Sequence, residues 1–307
     1  MNVLILGDRT DPHAAHVGRA VAQAGASVYY CNTQHFPTRI QLSWSPSDHA
    51  GAIALPEGDR LDLHQIHSVF WRSFYGVQVP PLQDTQQASI AYKDALSALR
   101  SLMQACPARW VNSWQAYQFH QEKPLQLHRI AQLGVPIPPT LVSNDPQAIL
   151  QFYESYPDLI FKPVYGGAYT QRITPDHLNL NRLELASKIA PVTLQQYVPG
   201  TNVRSYVVGA EVYTAEIRSN AVDFREDAAA TLIPAILPEA VQQQCVAIAR
   251  CLLLEWTAID WRLTPDGQYV FLEANPSPMF LHVERQTGFP ITRLLVEQLT
   301  RDPDSGF

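Results

Sequence analysis

The chain has 307 residues, of which 46% are hydrophobic, so it can bury a large core and is long enough for two or three lobes. The formal charge of −6 and the pI near 5.9 leave no basic excess, and this balance argues against nucleic acid as a partner. No segment approaches the roughly 20 consecutive apolar residues of a membrane span, and the four cysteines lack paired close spacing. These features predict a cytosolic protein with reduced thiols.

The first part of the chain, residues 1–111, has the pattern of an α/β lobe with a Rossmann-like βαβ opening. Apolar runs and helical periodicity predict its elements. They are strands at 1–6, 27–31 and 66–71 and helices at 14–24 and 88–103. Residues 6–10 lack the glycine fingerprint that follows the first strand of a dinucleotide-binding fold, which argues against an oxidoreductase.

A central α+β lobe is predicted for residues 112–192. Lys123-Pro124 starts a helix, because proline at the first helical position loses only an N–H that would be unpaired anyway, and Gly134 ends it. The other elements predicted in this lobe are strands at 140–143 and 159–163 and a helix at 146–156.

Residues 193–307 are predicted to form a third lobe, rich in strands. The predicted elements are strands at 193–198, 204–208, 212–218, 257–263 and 269–274 and a helix at 239–254. The sequence Thr-Pro-Asp-Gly at 264–267 joins the last two strands and is a strong turn signal.

Acidic residues inside these last two strands indicate a binding site for a divalent cation. Asp260 and Glu273 lie among large apolar residues, where a carboxylate needs a compensating partner. Glu273 and Asn275 are two apart, so they share one face of their strand. With a plain two-residue turn, Asp260 pairs opposite Phe271 and points to that face, which would bring together three oxygen ligands suited to Mg²⁺. A type I turn with a G1 bulge would instead shift the register by one and turn Asp260 away.

Three further segments have the residue types of a nucleotide site, although each alone is also typical of an ordinary strand end or turn. Lys162 ends a strand shortly before Gly166-Gly167, which would form a phosphate cradle. Residues 195–198 run toward Pro-Gly as an extended connection whose backbone can pair with an adenine edge, with Asn202 in reach of ribose hydroxyls. Arg225 lies in a polar loop, 219–227, long enough to be a lid.

Other kinds of site have little support. His13 and His16, and likewise His64 and His67, are three apart but have no Cys or Glu companion at zinc-ligand spacing. Neither a Walker A pattern nor a nucleophile elbow is present in the sequence.

In this order, the motifs resemble the ATP-grasp superfamily, particularly its RimK-like branch of peptide and protein ligases, from about residue 112 to 299. The resemblance implies an ATP-grasp fold with a pre-ATP-grasp N-terminal lobe and nucleotide held between two α+β lobes. It also implies roles for fourteen residues. Nucleotide binding falls to Lys123, Lys162, Gly166, Gly167, Gln195, Gln196, Tyr197, Val198 and Asn202, catalysis to Arg204 and Arg218, and magnesium binding to Asp260, Glu273 and Asn275.

The C-terminal part, with Phe-Leu-Glu-Ala-Asn-Pro at 271–276, is similar to the microviridin-type graspetide ligases, which join Asp or Glu side chains of a precursor peptide to Ser, Thr or Lys. Residues 69–72 are similar to their N-terminal lobe. Two departures concern the peptide substrate more than the ATP chemistry. Asn202 stands where the branch usually has Asp, and Ser277-Pro278 replaces the more typical Asn-Gly or Pro-Gly.

The resemblance predicts an ATP-dependent carboxylate–amine or carboxylate–hydroxyl ligase that works through an acyl phosphate on a peptide or protein. It implies ATP and Mg²⁺, or Mn²⁺, as cofactors, and homo-oligomers are common among relatives. Two alternatives stay open at this point: a ligase for free amino acids, and a non-catalytic ATP-binding module of the same fold.

Overall fold

The computed structural model describes residues 1–156, 158–165, 170–219 and 230–301. The chain divides into two compact units. The first contains Met1–Trp114, Leu254–Trp256 and the chain from Ser277 onward, and the second contains Gln115–Leu253 and Thr257–Pro276. In the described part of the chain, no helix combines the length and apolarity needed to cross a membrane. The division into three lobes at residues 111 and 192 stays a prediction.

The first unit contains a four-stranded parallel sheet in the order β2-β1-β6-β7 and a separate antiparallel sheet of β3, β4 and β5. The N-terminal elements of this unit are β1 (Asn2–Leu6), α1 (Pro12–Gln23), β2 (Ser27–Cys31), β3 (Gln41–Ser45), β4 (Ala50–Ala54), β5 (Arg60–Asp62), β6 (Ile66–Trp71), α2 (Thr85–Ala105) and β7 (Arg109–Val111). The predicted βαβ opening is confirmed, whereas the small antiparallel sheet was not predicted.

Capping explains why two of these helices begin earlier than predicted. The Asp11 side chain accepts a hydrogen bond from the Ala14 N–H at 2.8 Å, so α1 starts at Pro12. Asp84 accepts from the N–H groups of Gln86 and Gln87, so α2 starts at Thr85 and not at residue 88. Short polar side chains at these positions satisfy N–H groups that no helical carbonyl can reach.

The second unit contains two sheets. Its elements are α3 (Trp114–Gln121), α4 (Lys123–Gln132), β8 (Thr140–Ser143), α5 (Pro146–Ser155), β9 (Leu159–Pro163), β10 (Gln171–Arg172), α6 (Leu180–Ser187), β11 (Val192–Gln196), β12 (Thr201–Val208), β13 (Glu211–Arg218), β14 (Thr231–Ala235), α7 (Glu239–Cys251), β15 (Trp256–Leu263) and β16 (Tyr269–Asn275). Strands β8 to β11 form a four-stranded sheet, β10-β9-β11-β8, whose three strand pairs are antiparallel. The other strands form a five-stranded sheet in the order β14-β13-β12-β15-β16.

Helices cover both sheets of this unit. Ile149 of α5 packs with Leu159 and Leu194 in a buried cluster on the four-stranded sheet. Helix α7 contacts β12 and β13, and α4 contacts β16. The chain then returns to the first unit, where α8 (Leu281–Thr287) and α9 (Ile291–Thr300) complete the fold, and α9 packs on α1, β6 and β7.

Candidate active site

The β15–β16 hairpin places the three predicted metal ligands on one face. Asp260 pairs with Glu273, and Ala258 pairs with Asn275. Residues directly opposite each other in an antiparallel pair point to the same face, and Glu273 and Asn275 share a face because they are two apart. The predicted pairing of Asp260 with Phe271 is wrong, although the face that Asp260 presents is the one that this pairing would have given.

Two one-residue shifts explain this register. The turn at 264–267 has a Gly267 N–H to Thr264 C=O hydrogen bond of 2.9 Å and a left-handed Gly267, φ 87°, so it is a type I turn with a G1 bulge. That bulge shifts the pairing by one residue, as the alternative reading of the turn required. A second irregularity between Asp260 and Trp261 leaves Leu272 as an extra residue and shifts the pairing again. Because the two shifts add up to two residues, the Asp260 side chain points to the same face as it would in the unshifted pairing.

Each acid of this face contacts its own cation. The Arg204 guanidinium donates from Nε to Asp260 Oδ1 at 2.6 Å and from Nη2 to Asp260 Oδ2 at 2.7 Å. Lys123 Nζ donates to Glu273 Oε2 at 2.7 Å. Asp260 is buried, with 8% of its surface exposed. Burying a carboxylate without a partner is strongly unfavourable, and the bidentate pair with Arg204 offsets this desolvation cost.

These charges shift the pKa values of the site. Burial raises the pKa of Glu273, but the charge and hydrogen bond of Lys123, together with the charge of Lys162, outweigh it and lower the pKa to about 2. Burial lowers the pKa of Arg204, whereas the charge and hydrogen bonds of Asp260 raise it to a net value above the ordinary one. Glu273 and Arg204 are therefore charged at neutral pH.

The two predicted lysines open onto the same pocket. This pocket is lined by Lys123, Lys162, Thr193 and Glu273, with Gln126 and apolar side chains around them. Lys123 begins α4 and Lys162 lies on β9, so helix and strand bring together two cations 39 residues apart in sequence. A pocket with two ammonium groups beside an acidic face suits a phosphate chain that carries a divalent cation.

Gln195, predicted to belong to the adenine-binding connection, lies instead in the middle of a sheet. Its side chain is 1% exposed, accepts a hydrogen bond from Lys162 Nζ at 3.2 Å and donates to Thr140 Oγ1 at 2.9 Å. Thr140 Oγ1 in turn donates to the Pro138 carbonyl at 2.8 Å. This chain of hydrogen bonds fixes the direction of Lys162, a contact that the sequence analysis missed.

The rest of the predicted hinge is partly occupied by contacts within the protein. The N–H groups of Gln196 and Tyr197 donate to the carbonyls of Pro139 and Asp158, both at 2.9 Å. Asn202 Oδ1 accepts a hydrogen bond from Arg262 Nη1 at 2.7 Å, which leaves its amide nitrogen and the second lone pair of the oxygen for a ribose hydroxyl. Arg218 ends β13 and is exposed. Gly166, Gly167 and Arg225 lie outside the described residues.

Gln126 is a second residue that the sequence analysis missed. Its side chain is 2% exposed, donates to the Ala274 carbonyl at 3.0 Å and accepts from the Ala274 N–H at 2.8 Å. Ala274 lies between Glu273 and Asn275, so this amide holds the strand segment that carries both. The available signal was spacing: Gln126 is three residues after Lys123 and therefore on the same face of α4.

The acidic face fits magnesium better than a softer metal. Among residues 1–156, 158–165, 170–219 and 230–301, no group of three or more His, Cys, Asp or Glu side chains is placed to hold a metal ion. Asp260, Glu273 and Asn275 offer two carboxylates and one amide oxygen. Such an oxygen-only set matches the preference of Mg²⁺ for a few protein oxygens alongside substrate phosphates.

Two family models together match nearly the whole chain. The model of the RimK-like ATP-grasp domain matches residues 120–299, and that of the MvdD pre-ATP grasp domain matches residues 2–118. The chain belongs to the RimK-like ATP-grasp family. The ATP-grasp fold and the class of ATP-dependent ligase predicted from the sequence are therefore confirmed.

Within this family, solved peptide-modifying ligases are similar over the full length. The macrocyclase MdnC from Microcystis aeruginosa MRC, bound with precursor peptide MdnA, is 27% identical at a TM-score of 0.86, with 98% of this chain and 100% of that chain covered. The ATP-grasp ligase PsnB, complexed with minimal precursor, Mg and ADP, is 28% identical at a TM-score of 0.81, with 97% of each chain covered.

A RiPP-associated ATP-grasp ligase from Chryseobacterium gregarium, in complex with ADP and a leader and core peptide, is 23% identical at a TM-score of 0.84. The match covers 97% of this chain and 96% of that chain, and at this identity it shows the fold alone. Among curated protein sequences, none matches this chain.

Proposed function

We propose that this enzyme uses MgATP to phosphorylate a side-chain carboxyl group of a precursor peptide and transfers the acyl group to a hydroxyl or amine of that peptide. The observation that carries the proposal is the acidic face of the hairpin, with its paired cations, in a chain that is 27% identical over its full length to a macrocyclase solved with its precursor peptide. We further propose the cytoplasm as its location, which the four free cysteines support.

The proposed roles follow from charge and position. Asp260, Glu273 and Asn275 would hold Mg²⁺, which supplies charge neutralisation on the β- and γ-phosphates when bound. Lys123 and Lys162 contribute positive charge on the pocket wall, where charge develops during phosphoryl transfer. Such a transfer needs positioning and electrostatic stabilisation, and no protein nucleophile.

The remaining assignments concern substrate and nucleotide contacts. Arg204 would bind the acyl phosphate, and its pairing with Asp260 supports a position beside the metal ligands. Arg218, exposed at the end of β13, would bind substrate or phosphate. Gly166 and Gly167 would cover the phosphates, and the connection at 196–198 with Asn202 would bind adenine and ribose. Since the N–H groups of Gln196 and Tyr197 are occupied, the Val198 N–H is the donor that this proposal requires.

Intact-mass analysis tests the proposal. Precursor peptides with acidic and hydroxyl or amine side chains are incubated with enzyme and MgATP. The expected result is that the peptide loses the mass of one water for each new bond and that one ADP is formed for each bond. Omitting ATP is the control. ADP formation only with free amino acids would show that the enzyme is a ligase for amino acids. ATP binding without ADP formation for any peptide of the panel would show that the protein is a non-catalytic ATP-binding module. Either outcome would overturn the proposal.

A further inference from the structure

Arg262 of β15 contacts the connection that leads from β11 to β12. Arg262 is buried, with 9% of the residue exposed. Its Nε donates to the Val198 carbonyl at 2.9 Å, its Nη1 to Asn202 Oδ1 at 2.7 Å and its Nη2 to the Tyr197 hydroxyl at 3.2 Å. A single side chain therefore holds three residues of one short segment.

The acceptors of these three bonds are all neutral, namely a carbonyl, an amide and a phenol. Burial lowers the pKa of Arg262, and the hydrogen bond to Tyr197 offsets only part of this. Among the described residues, Arg262 has no carboxylate in its contacts. A buried cation of this kind is a costly way to hold a strand connection, because neutral side chains of the same shape would avoid the desolvation of a charge. The rigid fork of the guanidinium, however, fixes the direction of several acceptors at once.

Gly200 fixes the same connection at a second point. Its φ is +134°, and a Cβ at this position would lie 2.0 Å from the carbonyl oxygen of Leu263, the residue after Arg262. The backbone at Gly200 thus packs directly on β15. Because one contact comes from the Arg262 side chain and the other from the neighbouring backbone, the segment 197–202 has little freedom to move relative to β15.

We propose that Arg262 is a positioning residue for the purine ring of the nucleotide. By holding the Val198 carbonyl and the Tyr197 side chain, it sets where the Val198 N–H and the adjacent backbone oxygens stand, and these groups read the adenine edge. The inference rests on the proposed function, since it takes the connection at 196–198 as the adenine hinge. Arg262 acts through this segment and needs no contact with the nucleotide.

The test compares Arg262→Met and Arg262→Lys with Arg182→Met. Arg182 controls for the loss of one guanidinium, because it lies on α6 and is exposed. For Arg262→Met we expect the KM for ATP to rise about tenfold at nearly unchanged kcat, as lost ground-state binding requires. Selectivity for ATP over inosine triphosphate should fall as well, Arg262→Lys should be intermediate, and Arg182→Met should match wild type.

A purely structural role would lower the melting temperature and the active fraction but leave KM and the ATP-to-inosine-triphosphate ratio unchanged, and that result would overturn the inference. Val198→Pro, which removes the hinge N–H, separates this failure from failure of the hinge assignment. If Val198→Pro raises the KM for ATP while Arg262→Met does not, only the role of Arg262 is wrong. If Val198→Pro has no effect, the adenine hinge lies elsewhere, and both the hinge assignment and the role of Arg262 are wrong.

Discussion

At the scale of single residues, the site is a set of charges that compensate one another. Asp260 and Glu273 each contact a different cation, and those cations come from β12 and α4. Arg204 is therefore directed by Asp260, and Lys162 by Gln195. A substitution here changes both the chemistry and the stability of the fold, so each test needs a control that resolves the two effects.

Asp260→Asn should abolish most activity and also destabilise the enzyme. We expect ADP formation to fall at least about a hundredfold, because a metal ligand and the orientation of Arg204 are both lost. The free energy of unfolding should fall by about 3 kcal/mol, since the buried Arg204 guanidinium loses its carboxylate. Coupled ADP assays and urea unfolding measure the two effects. Asp266→Asn is the control, because Asp266 lies in the turn of the same hairpin and is fully exposed; normal turnover by Asp260→Asn would contradict the metal assignment.

The lowered pKa of His13 predicts that the stability of the first unit decreases in acid. Its side chain lies in α1 with 8% exposure, and burial together with the Arg72 charge lowers its pKa to about 4 from an ordinary 6.5. Between these values the unfolded chain binds a proton that the folded chain does not, so stability falls as pH decreases from 6.5 to 4. The contribution at stake is on the order of 3 kcal/mol. Urea unfolding as a function of pH should show a shallower decrease for His13→Gln than for wild type, and the exposed His64→Gln should follow wild type.

At the scale of elements, α4 and β16 act as one structure. The helix contributes Lys123 to Glu273 and Gln126 to Ala274, so two side chains make three hydrogen bonds to the strand that carries the candidate ligands. The amide of Gln126 occupies both backbone groups of Ala274, much as a neighbouring strand would. Movement of α4 would therefore displace Glu273 and Asn275 together.

Gln126→Leu should weaken the magnesium site without touching a ligand. The Ala274 N–H and carbonyl would be left unpaired in a buried place, at a cost of about 1–3 kcal/mol in unfolding free energy. We expect the Mg²⁺ concentration for half-maximal ADP formation to rise by about tenfold or more, as with other outer contacts of metal ligands. Gln132→Leu, on the exposed end of the same helix, is the control. A loss of stability with no change in the Mg²⁺ dependence would contradict this positioning role.

At the scale of the whole molecule, the first unit depends on the C-terminal end of the chain. Helix α9 packs on α1, β6 and β7, and Ser68 of β6 donates its hydroxyl to the Leu299 carbonyl at 2.6 Å. Ile291, Leu295 and Leu299 are completely buried. The packing of the first unit is therefore complete only when α8 and α9, which follow the acidic hairpin in sequence, have joined it.

Leu295→Ala should destabilise this unit by about 2–5 kcal/mol, the usual cost of truncating a fully buried leucine. Thermal and urea unfolding give the value. Arg293→Ala, two residues away on the exposed face and paired with Glu297, should change stability by less than about 1 kcal/mol. Equal losses for the two variants would show that α9 does not pack as described.

Local patterns in the sequence are enough to predict the order of elements and the identity of the charged groups. Alternation at Glu273 and Asn275, the proline after Lys123 and the Thr-Pro-Asp-Gly turn are local signals, because strand period, helix start and turn type depend on a few neighbouring residues. For that reason most strand and helix positions and the family could be predicted.

The register of the hairpin and the hydrogen-bond partners of the buried side chains depend on tertiary packing. The side to which Asp260 points depends on the sum of two one-residue shifts, and one of them, at Leu272, has no clear local signal. Gln195 could face a nucleotide or Lys162, and Gln126 and Arg262 become important only through groups 148 and 60–65 residues away in the chain. Side-chain direction in a packed core is set by such distant neighbours, and a single sequence does not state them.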